Sequence, residues 1–259
     1  MKKMIVANWK MNPSTAKEAV ELFNATARTA TKIRKVKIVV CPPFIYLNLF
    51  SKKTSVSLGA QDVFWESPPA GGGSYTGEIS AKMLKNAGVE YVIVGHSERR
   101  RLGETDEMIN KKIKQALESR IKVIFCVGEL ERDDSEEHFK FIKEEIIKGL
   151  DKIPVKLLKS LIITYEPVWA ISSAAASGKA RFNADTPEDA FQMATYIKRI
   201  LVSIFGKSLS RVPILYGGSV DFENTSDFLK KENIDGLLVG RVSWNIKTFS
   251  KLLKNTGRL

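Results

Sequence analysis

Short β-branched and apolar runs alternate with amphipathic helical runs along the whole chain, and this alternation constrains the fold more than any other feature. Most of the apolar runs are nearly continuous, which is typical of parallel strands covered on both faces. We predict eight strands, at Met4–Lys10, Lys37–Pro42, Val56–Asp62, Tyr91–Ser97, Lys122–Glu129, Leu161–Trp169, Pro213–Ser219 and Gly236–Gly240.

Amphipathic helical patterns lie between these strands. Thr186, Pro187 and the two acids that follow form a helix start, because a hydroxyl can cap the helix, proline suits its first turn and acids suit its dipole. We predict the clearest helices at Thr15–Ala27, Thr105–Leu117, Ser135–Leu150 and Pro187–Phe205, where apolar residues recur at three- and four-residue spacing.

Eight strand–helix units in 259 residues match the size of an α/β protein with a single (β/α)8 TIM barrel, so we predict one barrel domain over 1–259. An open doubly wound sheet is the alternative, but such sheets usually carry a glycine-rich phosphate loop after the first strand. Here the first strand ends in Asn8-Trp9-Lys10. The glycine- and proline-rich run Ser67–Ser74 reads as an exposed loop and not as a domain linker.

The formal net charge of +12 has two possible explanations, nucleic-acid binding or a lysine-rich solvated surface. We favour the solvated surface, because the lysines are scattered among acids in helical patterns and no nucleic-acid-binding motif accompanies them. We therefore expect no nucleic-acid partner, although a positive potential can steer an anionic substrate.

No apolar run approaches the roughly 18 residues of a membrane span, so we expect no membrane partner. The N-terminus leads into only a short apolar run, unlike a secretory signal, and a cytoplasmic location is expected. Cys41 and Cys126 lie in strand-like runs, which predicts reduced, buried thiols.

The sixth predicted strand ends in a carboxylate, Glu166, which is followed by Pro167-Val168-Trp169 and then by a small, polar segment. A buried carboxylate is a stronger base than an exposed one, because desolvation penalises its charge. A base followed by a stiff segment and a flexible one suggests a hinge and a lid that exclude water during catalysis.

The active site of a barrel forms where its strands finish, and other strand ends here also carry chemical groups. Taken singly, each has a simpler explanation: a surface lysine, a structural histidine, an ion-pair network or a glycine turn. We expect part of Glu98-Arg99-Arg100 to form such a network. We nevertheless favour a catalytic site, because a base, an electrophile, a lysine and a glycine-rich anion site all fall at strand ends. These strand-end groups are Asn8, Lys10, His96, Glu98, Cys126–Glu129, Tyr216–Val220, Gly240 and Arg241.

Four motifs, spread along the chain, carry a specific resemblance to a known protein family, and this resemblance covers nearly the whole chain. They are Asn8-Trp9-Lys10-Met11-Asn12, Gly95-His96-Ser97-Glu98-Arg99-Arg100, Tyr165-Glu166-Pro167-Val168-Trp169-Ala170 and Tyr216-Gly217-Gly218-Ser219-Val220. Weaker matches are Gly59-Ala60-Gln61-Asp62, Thr76-Gly77-Glu78-Ile79-Ser80 and Cys126-Val127-Gly128-Glu129. In these motifs the chain resembles the triosephosphate isomerase family.

The resemblance implies interconversion of dihydroxyacetone phosphate and glyceraldehyde 3-phosphate. It makes Glu166 the base and His96 the electrophile, and a glutamate base beside a neutral histidine is a well-known feature of this family. It also implies that Lys10 offsets negative charge, that Asn8 orients the substrate oxygen, and that Glu98 pairs with Lys10 in a second layer. No metal and no organic cofactor is needed.

The resemblance places the phosphate on backbone N–H groups of Ser172, Ser219, Gly240 and Arg241, where helix or turn starts favour an anion. Two positions depart from the family pattern. Ser172 replaces a lid glycine in a longer lid that runs to Asp185, so the lid either closes differently or has lost efficient closure; we favour the first. Arg241 replaces a second glycine, and it either adds a guanidinium to the phosphate or pairs with an acid.

A homodimer is expected by resemblance, through the loop regions of Asn12 and Thr76, although Ser67–Gly73 is longer than the family norm. Three functions remain open: an active triosephosphate isomerase, a phosphosugar isomerase of shifted specificity, and a weakly active homologue that binds polyanions. The first is the leading hypothesis, and the presence of Glu166, His96 and Lys10 argues against the third.

Overall fold

The computed structural model describes residues 2–33, 35–50, 54–67, 73–132, 137–171 and 185–259. Eight parallel strands form a closed barrel in chain order, and the pairing of the first strand with the eighth closes it. This confirms the predicted (β/α)8 barrel and excludes the open doubly wound sheet. The strands are β1 Lys3–Asn8, β2 Val36–Cys41, β3 Ser57–Ala60, β4 Tyr91–Val94, β5 Lys122–Val127, β6 Leu161–Tyr165, β7 Ile214–Tyr216 and β8 Gly236–Val239.

Helices connect the strands on the outside of the barrel. They are α1 Ala16–Ala30, α2 Ala81–Asn86, α3 Ser97–Arg101, α4 Asp106–Glu118, α5 Glu137–Gly149, α6 Val155–Leu158, α7 Pro187–Phe205, α8 Thr225–Lys230 and α9 Ile246–Gly257. Short 3-10 helices occupy Phe44–Leu49, Val168–Ala170, Lys207–Leu209 and Arg241–Trp244.

The strands are apolar on both faces because each face packs against a different layer. Side chains such as Val6, Val39 and Ile93 fill the barrel interior. Their neighbours along the strands, such as Ile5 and Ile38, face outward into the larger core beneath the helices. This alternation explains why the strand runs read as continuous apolar sequence.

Three of the four predicted helices begin at side-chain caps, of which the sequence suggested the one at Thr186. Thr15, Thr105 and Thr186 each accept a hydrogen bond from a backbone N–H in the first turn. Pro187 occupies the first turn of α7, as predicted. The fourth prediction, Ser135–Leu150, agrees with α5 from Glu137 onward, and its first two residues lie outside the described part of the chain.

The predicted strands were wrong at their carboxyl ends, where all eight extended too far. Tyr91–Ser97 ends as a strand at Val94, because Gly95 turns the chain in the left-handed region (φ 74°) and Ser97 begins α3. Leu161–Trp169 ends at Tyr165, since Pro167 lacks an N–H for the sheet and Val168 begins a 3-10 helix. Apart from Asn8, the last residue of β1, the candidate site residues therefore follow the strands and do not lie within them.

Some predictions fall partly outside the described residues. Of the loop Ser67–Ser74, residues 68–72 are not described, and of the long lid, residues 172–184 are not described.

Helix α9 was not predicted, although Asn245 caps it through hydrogen bonds from Lys247 and Thr248.

Both cysteines are free and buried, as predicted. Burial raises the pKa of the Cys41 thiol, and burial together with the Glu166 carboxylate raises the pKa of Cys126 well above its ordinary value. Among the described residues, no helix has the length and apolar character needed to cross a membrane.

Candidate active site

The carboxyl ends of the strands surround one cavity of about 630 Å³. Most of the sequence-predicted site residues that the structure describes line this cavity. They are Asn8, Lys10, His96, Glu166, Ser219, Gly240 and Arg241. Glu98 lies behind Lys10 and does not line it, and Ser172 lies outside the described residues.

Glu166 is held at the end of β6 with only 2% of its surface exposed. Its backbone N–H donates to Val127 O at 2.8 Å, which fixes the peptide. One carboxylate oxygen accepts the Ser97 N–H at 3.1 Å, and the other lies 3.1 Å from His96 Nε2. The carboxylate is therefore buried, with a polar contact to each of its oxygens.

The His96 ring is oriented by the first turn of α3. The backbone N–H of Glu98 donates to His96 Nδ1 at 3.1 Å, so Nδ1 presents a lone pair. A neutral ring with this contact carries its proton on Nε2, the nitrogen that faces the cavity and Glu166. The geometry thus presents an uncharged N–H donor to anything bound beside Glu166.

Lys10 has a left-handed backbone (φ 52°), which is uncommon for a residue with a side chain. Its N–H donates to Asn8 Oδ1 at 3.0 Å, and its carbonyl accepts Gln61 Nε2 at 2.9 Å. These contacts turn its side chain into the cavity, where Nζ lies 2.7 Å from Glu98 Oε1. This is the ion pair that was expected from the sequence.

The ion pair also determines the protonation of Glu98. Burial acts to raise the pKa of Glu98, but the hydrogen bond and charge of Lys10 outweigh burial. The pKa therefore lies below its ordinary value, and Glu98 stays ionised opposite Lys10.

The opposite wall of the cavity is built from glycine-containing turns after β7 and β8. The Ser219 hydroxyl donates to Ala170 O at 2.8 Å, which ties this wall to the segment after Glu166. A side chain at Gly240 would lie 3.3 Å from Lys10 Cε, so glycine keeps this wall open beside the lysine. Arg241 is exposed and begins the 3-10 helix at the rim.

The Glu98-Arg99-Arg100 run forms the ion-pair network that was expected beneath the site. Arg99 lies 3.0 Å from Asp62. Arg100 bridges two acids, Asp106 at 2.8 Å and Glu145 at 3.1 Å.

Two residues at the site, Gln61 and Glu129, were given no role by the sequence reasoning, although both lie in motifs that it named. Gln61 holds both Lys10 O and Cys41 O at 2.9 Å. Glu129, which is 2% exposed, accepts hydrogen bonds from Tyr165 and Trp169 on either side of Glu166, both at 2.8 Å. Both residues follow strands, so their position was a usable signal. Within the described ranges, no three His, Cys, Asp or Glu side chains form a group suited to a metal ion.

Comparison with known proteins gives a consistent result. The triosephosphate isomerase family model matches residues 3–256. A triosephosphate isomerase of Endomicrobium trichonymphae is 42% identical over 258 residues, covering 98% of each chain. One of Aquifex aeolicus is 41% identical over 258 residues, covering 98% of this chain and 99% of its own. This chain belongs to the triosephosphate isomerase family.

Proposed function

We propose that the chain is an isomerase that interconverts dihydroxyacetone phosphate and D-glyceraldehyde 3-phosphate through an enediolate. The observation that carries this proposal is the pair formed by the Glu166 carboxylate and His96 Nε2, which are 3.1 Å apart in a cavity with an anion-binding wall. A base beside a neutral N–H donor is what proton abstraction next to a carbonyl requires.

Proton transfer is assigned to Glu166. The carboxylate takes a proton from the carbon beside the carbonyl, and the electron pair moves onto the carbonyl oxygen. The same carboxyl then returns the proton to the neighbouring carbon, while the hydroxyl proton on the first carbon's oxygen passes to the former carbonyl oxygen. The first oxygen becomes the new carbonyl, so no net proton is consumed. One of the Glu166 oxygens accepts a hydrogen bond from Ser97 N–H, and the other lies 3.1 Å from His96 Nε2, so in this proposal His96 exchanges its contact with Glu166 for one with the substrate oxygen.

The developing oxyanion is assigned to His96 and Lys10. His96 Nε2–H donates to this oxygen, and the nearby Lys10 ammonium offsets its charge and that of the phosphate. Asn8, which is 5% exposed, presents its amide to the same cavity and orients the substrate oxygen. Glu98 acts indirectly, by holding Lys10.

The phosphate is assigned to the wall formed by Ser219, Gly240 and Arg241. Turn N–H groups and a guanidinium favour a dianion, and the wall faces Lys10 across the cavity. Ser172 of the lid remains part of this proposal, although it lies outside the described residues.

A homodimer is part of the same proposal. Exposed apolar side chains occur in the β1, β2 and β4 loops, including Met11 (98% exposed), Ile45 (78%) and Leu102 (78%). Such side chains favour burial against a second copy. The loops of Asn12 and Thr76 are the proposed contact region. Sedimentation at micromolar concentration tests this, and a monomer of about 29.0 kDa would refute it.

A coupled assay with glyceraldehyde 3-phosphate tests the activity. We expect turnover by the wild type and a loss of at least about a hundredfold in kcat for Glu166→Ala. Absence of turnover in a folded wild type, or full activity of the variant, would contradict the proposal. Turnover of a larger phosphosugar in preference to the triose would instead indicate shifted specificity.

A further inference from the structure

Glu145 lies in the middle of α5, yet its side chain is almost fully buried and ends beside the active site. One carboxylate oxygen accepts the Gly128 N–H at 2.8 Å. The other lies 3.1 Å from Arg100. Burying a charged carboxylate costs free energy unless it is hydrogen-bonded or paired, so these two contacts are what keeps Glu145 in this position.

The first contact leads directly to the base. Gly128 packs so closely on Glu166 that a side chain at 128 would come within 1.8 Å of Glu166 O. The residue before it, Val127, accepts the Glu166 N–H. By holding Gly128 N–H, Glu145 therefore fixes the surface against which the Glu166 peptide rests.

The second contact leads to the other side of the base. Arg100 Nε donates to Gly95 O at 3.0 Å, and Gly95 immediately precedes His96. His96 Nε2 and Ser97 N–H are the two groups that contact the Glu166 carboxylate. Through Arg100, Glu145 thus also holds the segment that orients the side chain of the base.

Packing alone does not fix this region. A second cavity of about 290 Å³ reaches Glu166, and Glu145, Arg100 and Gly128 line it together with apolar side chains. Because this space adjoins Gly128 and Glu166, a small displacement meets little steric resistance. The hydrogen bonds of Glu145 are then what resists it.

We propose that Glu145 is a positioning residue for Glu166, since its one carboxylate holds the peptide segments on both sides of that base. The proposal rests on the proposed isomerase activity and adds a residue that acts on it without touching the substrate. A shift of the base by a fraction of an ångström is costly, because proton transfer depends steeply on geometry.

The charge of Glu145 is needed for both contacts. A carboxylate can accept from Gly128 and Arg100 at once, whereas a protonated carboxyl turns one acceptor into a donor. Burial raises the pKa of Glu145 to about 7, although Arg100 and the Gly128 hydrogen bond oppose this. The other groups that face it are Asp106 from α4, Glu166 after β6 and Arg101 from α3. Positioning is therefore lost progressively as pH falls through about 7.

The test compares the pH dependence of kcat for wild type, Glu145→Gln and Glu145→Asp in the coupled triose phosphate assay. Glu145→Gln should lower kcat about tenfold at pH 8 with little change in KM, because the phosphate wall is untouched. The ratio of wild-type to Glu145→Gln kcat should shrink as pH falls through about 7. Glu145→Asp keeps the charge but shortens the reach, so its kcat should fall while the step near pH 7 remains.

Glu144→Gln is the matched control, because Glu144 is the neighbouring residue and its side chain is 50% exposed. It should match the wild type at every pH. A ratio of wild-type to Glu145→Gln kcat that is constant with pH would overturn the proposal. If Glu145→Gln does not fold, a wild-type kcat with no step near pH 7 overturns it equally. An inactive wild type would instead refute the proposed function, and this inference with it.

Discussion

His96 Nε2 lies 3.1 Å from Glu166 Oε1, and this contact joins the proposed electrophile to the proposed base before any substrate enters. The Glu98 N–H on Nδ1 leaves Nε2 as the protonated nitrogen of a neutral ring. One N–H therefore serves Glu166 in this arrangement and the substrate oxygen during the reaction. Because this contact depends on the length of the Glu166 side chain, we expect catalysis to be sensitive to shortening it.

Glu166→Asp keeps a carboxylate but withdraws it by one methylene from the substrate. We expect kcat to fall by about a hundredfold or more with a small change in KM, since only the proton-transfer geometry is altered. Steady-state kinetics with glyceraldehyde 3-phosphate measure this. Glu118→Asp, an exposed position at the end of α4, is the control. Equal kcat values for Glu166→Asp and wild type would argue against Glu166 as the base.

Lys10→Met removes the ammonium that lies between Glu98 and the cavity. We expect kcat/KM to fall by about two to three orders of magnitude, because both the phosphate and the oxyanion lose a positive charge. Glu98→Gln should cost less, about tenfold, as it only releases Lys10. Lys231→Met removes a surface lysine that pairs with Glu188 and should leave the kinetics unchanged. A larger loss for Glu98→Gln than for Lys10→Met would contradict this ranking.

Arg241→Ala tests whether the exposed arginine at the cavity rim contributes to phosphate binding. We expect KM to rise by about three- to tenfold and inorganic phosphate to inhibit less strongly, because a charge-assisted contact is lost. The control is Arg258→Ala, an exposed arginine near the C-terminus. An unchanged kcat/KM would show that Arg241 turns away from the phosphate.

Gly128→Ala tests the close packing of the β5 and β6 ends. The added carbon would lie 1.8 Å from Glu166 O and 2.5 Å from Glu166 C, and both are backbone atoms, so rotation of a side chain cannot relieve the contact. We expect a loss of about 3 kcal/mol or more in the free energy of unfolding. At Gly103 a side chain meets no atom within 4 Å, and Gly103→Ala carries only the cost of its positive φ, about 1–2 kcal/mol. Denaturant unfolding compares the two, and equal losses would contradict the packing argument.

The fold could be predicted from the sequence because barrel strands buried on both faces leave continuous apolar runs. The carboxyl ends of the strands could not be predicted, since the residues that follow each strand are still partly apolar. Val168 reads as strand sequence, and only the geometry at Pro167 takes it into a 3-10 helix. Helix α9 was overlooked although Asn245 is an ordinary capping residue.

The site could be predicted where a chemical group follows a strand, as with His96 and Glu166. The role of Glu145 could not be predicted. It lies among lysines and glutamates in the middle of a helix, so its sequence context is that of a solvent-exposed helix face. Only the packing of α5 against the barrel buries it beside Arg100 and Gly128. Contacts between distant parts of the chain leave no local signal.

Asp185→Asn tests a buried acid that immediately precedes Thr186, the N-cap of α7. The Asp185 side chain is fully buried and lies 3.4 Å from Arg132. Burial raises the pKa of Asp185 to about 7, although Arg132 opposes this. The folded protein therefore keeps this proton up to about pH 7, whereas the unfolded chain releases it near the ordinary aspartate pKa of 3.8. Between these values the folded state binds more protons, so this group lowers stability as pH rises.

Because asparagine does not titrate, the Asp185→Asn variant should lose less stability than the wild type between about pH 4 and pH 7. The difference between the two curves should change by an amount on the order of a few kcal/mol across this window. Urea unfolding at fixed protein concentration and several pH values measures it. Glu145 titrates over a similar range but contributes equally to both proteins. Asp151→Asn is the control, because that side chain is 61% exposed and its curve should parallel the wild type. Parallel curves for Asp185→Asn and wild type would mean that Asp185 is ionised in the folded protein throughout this range.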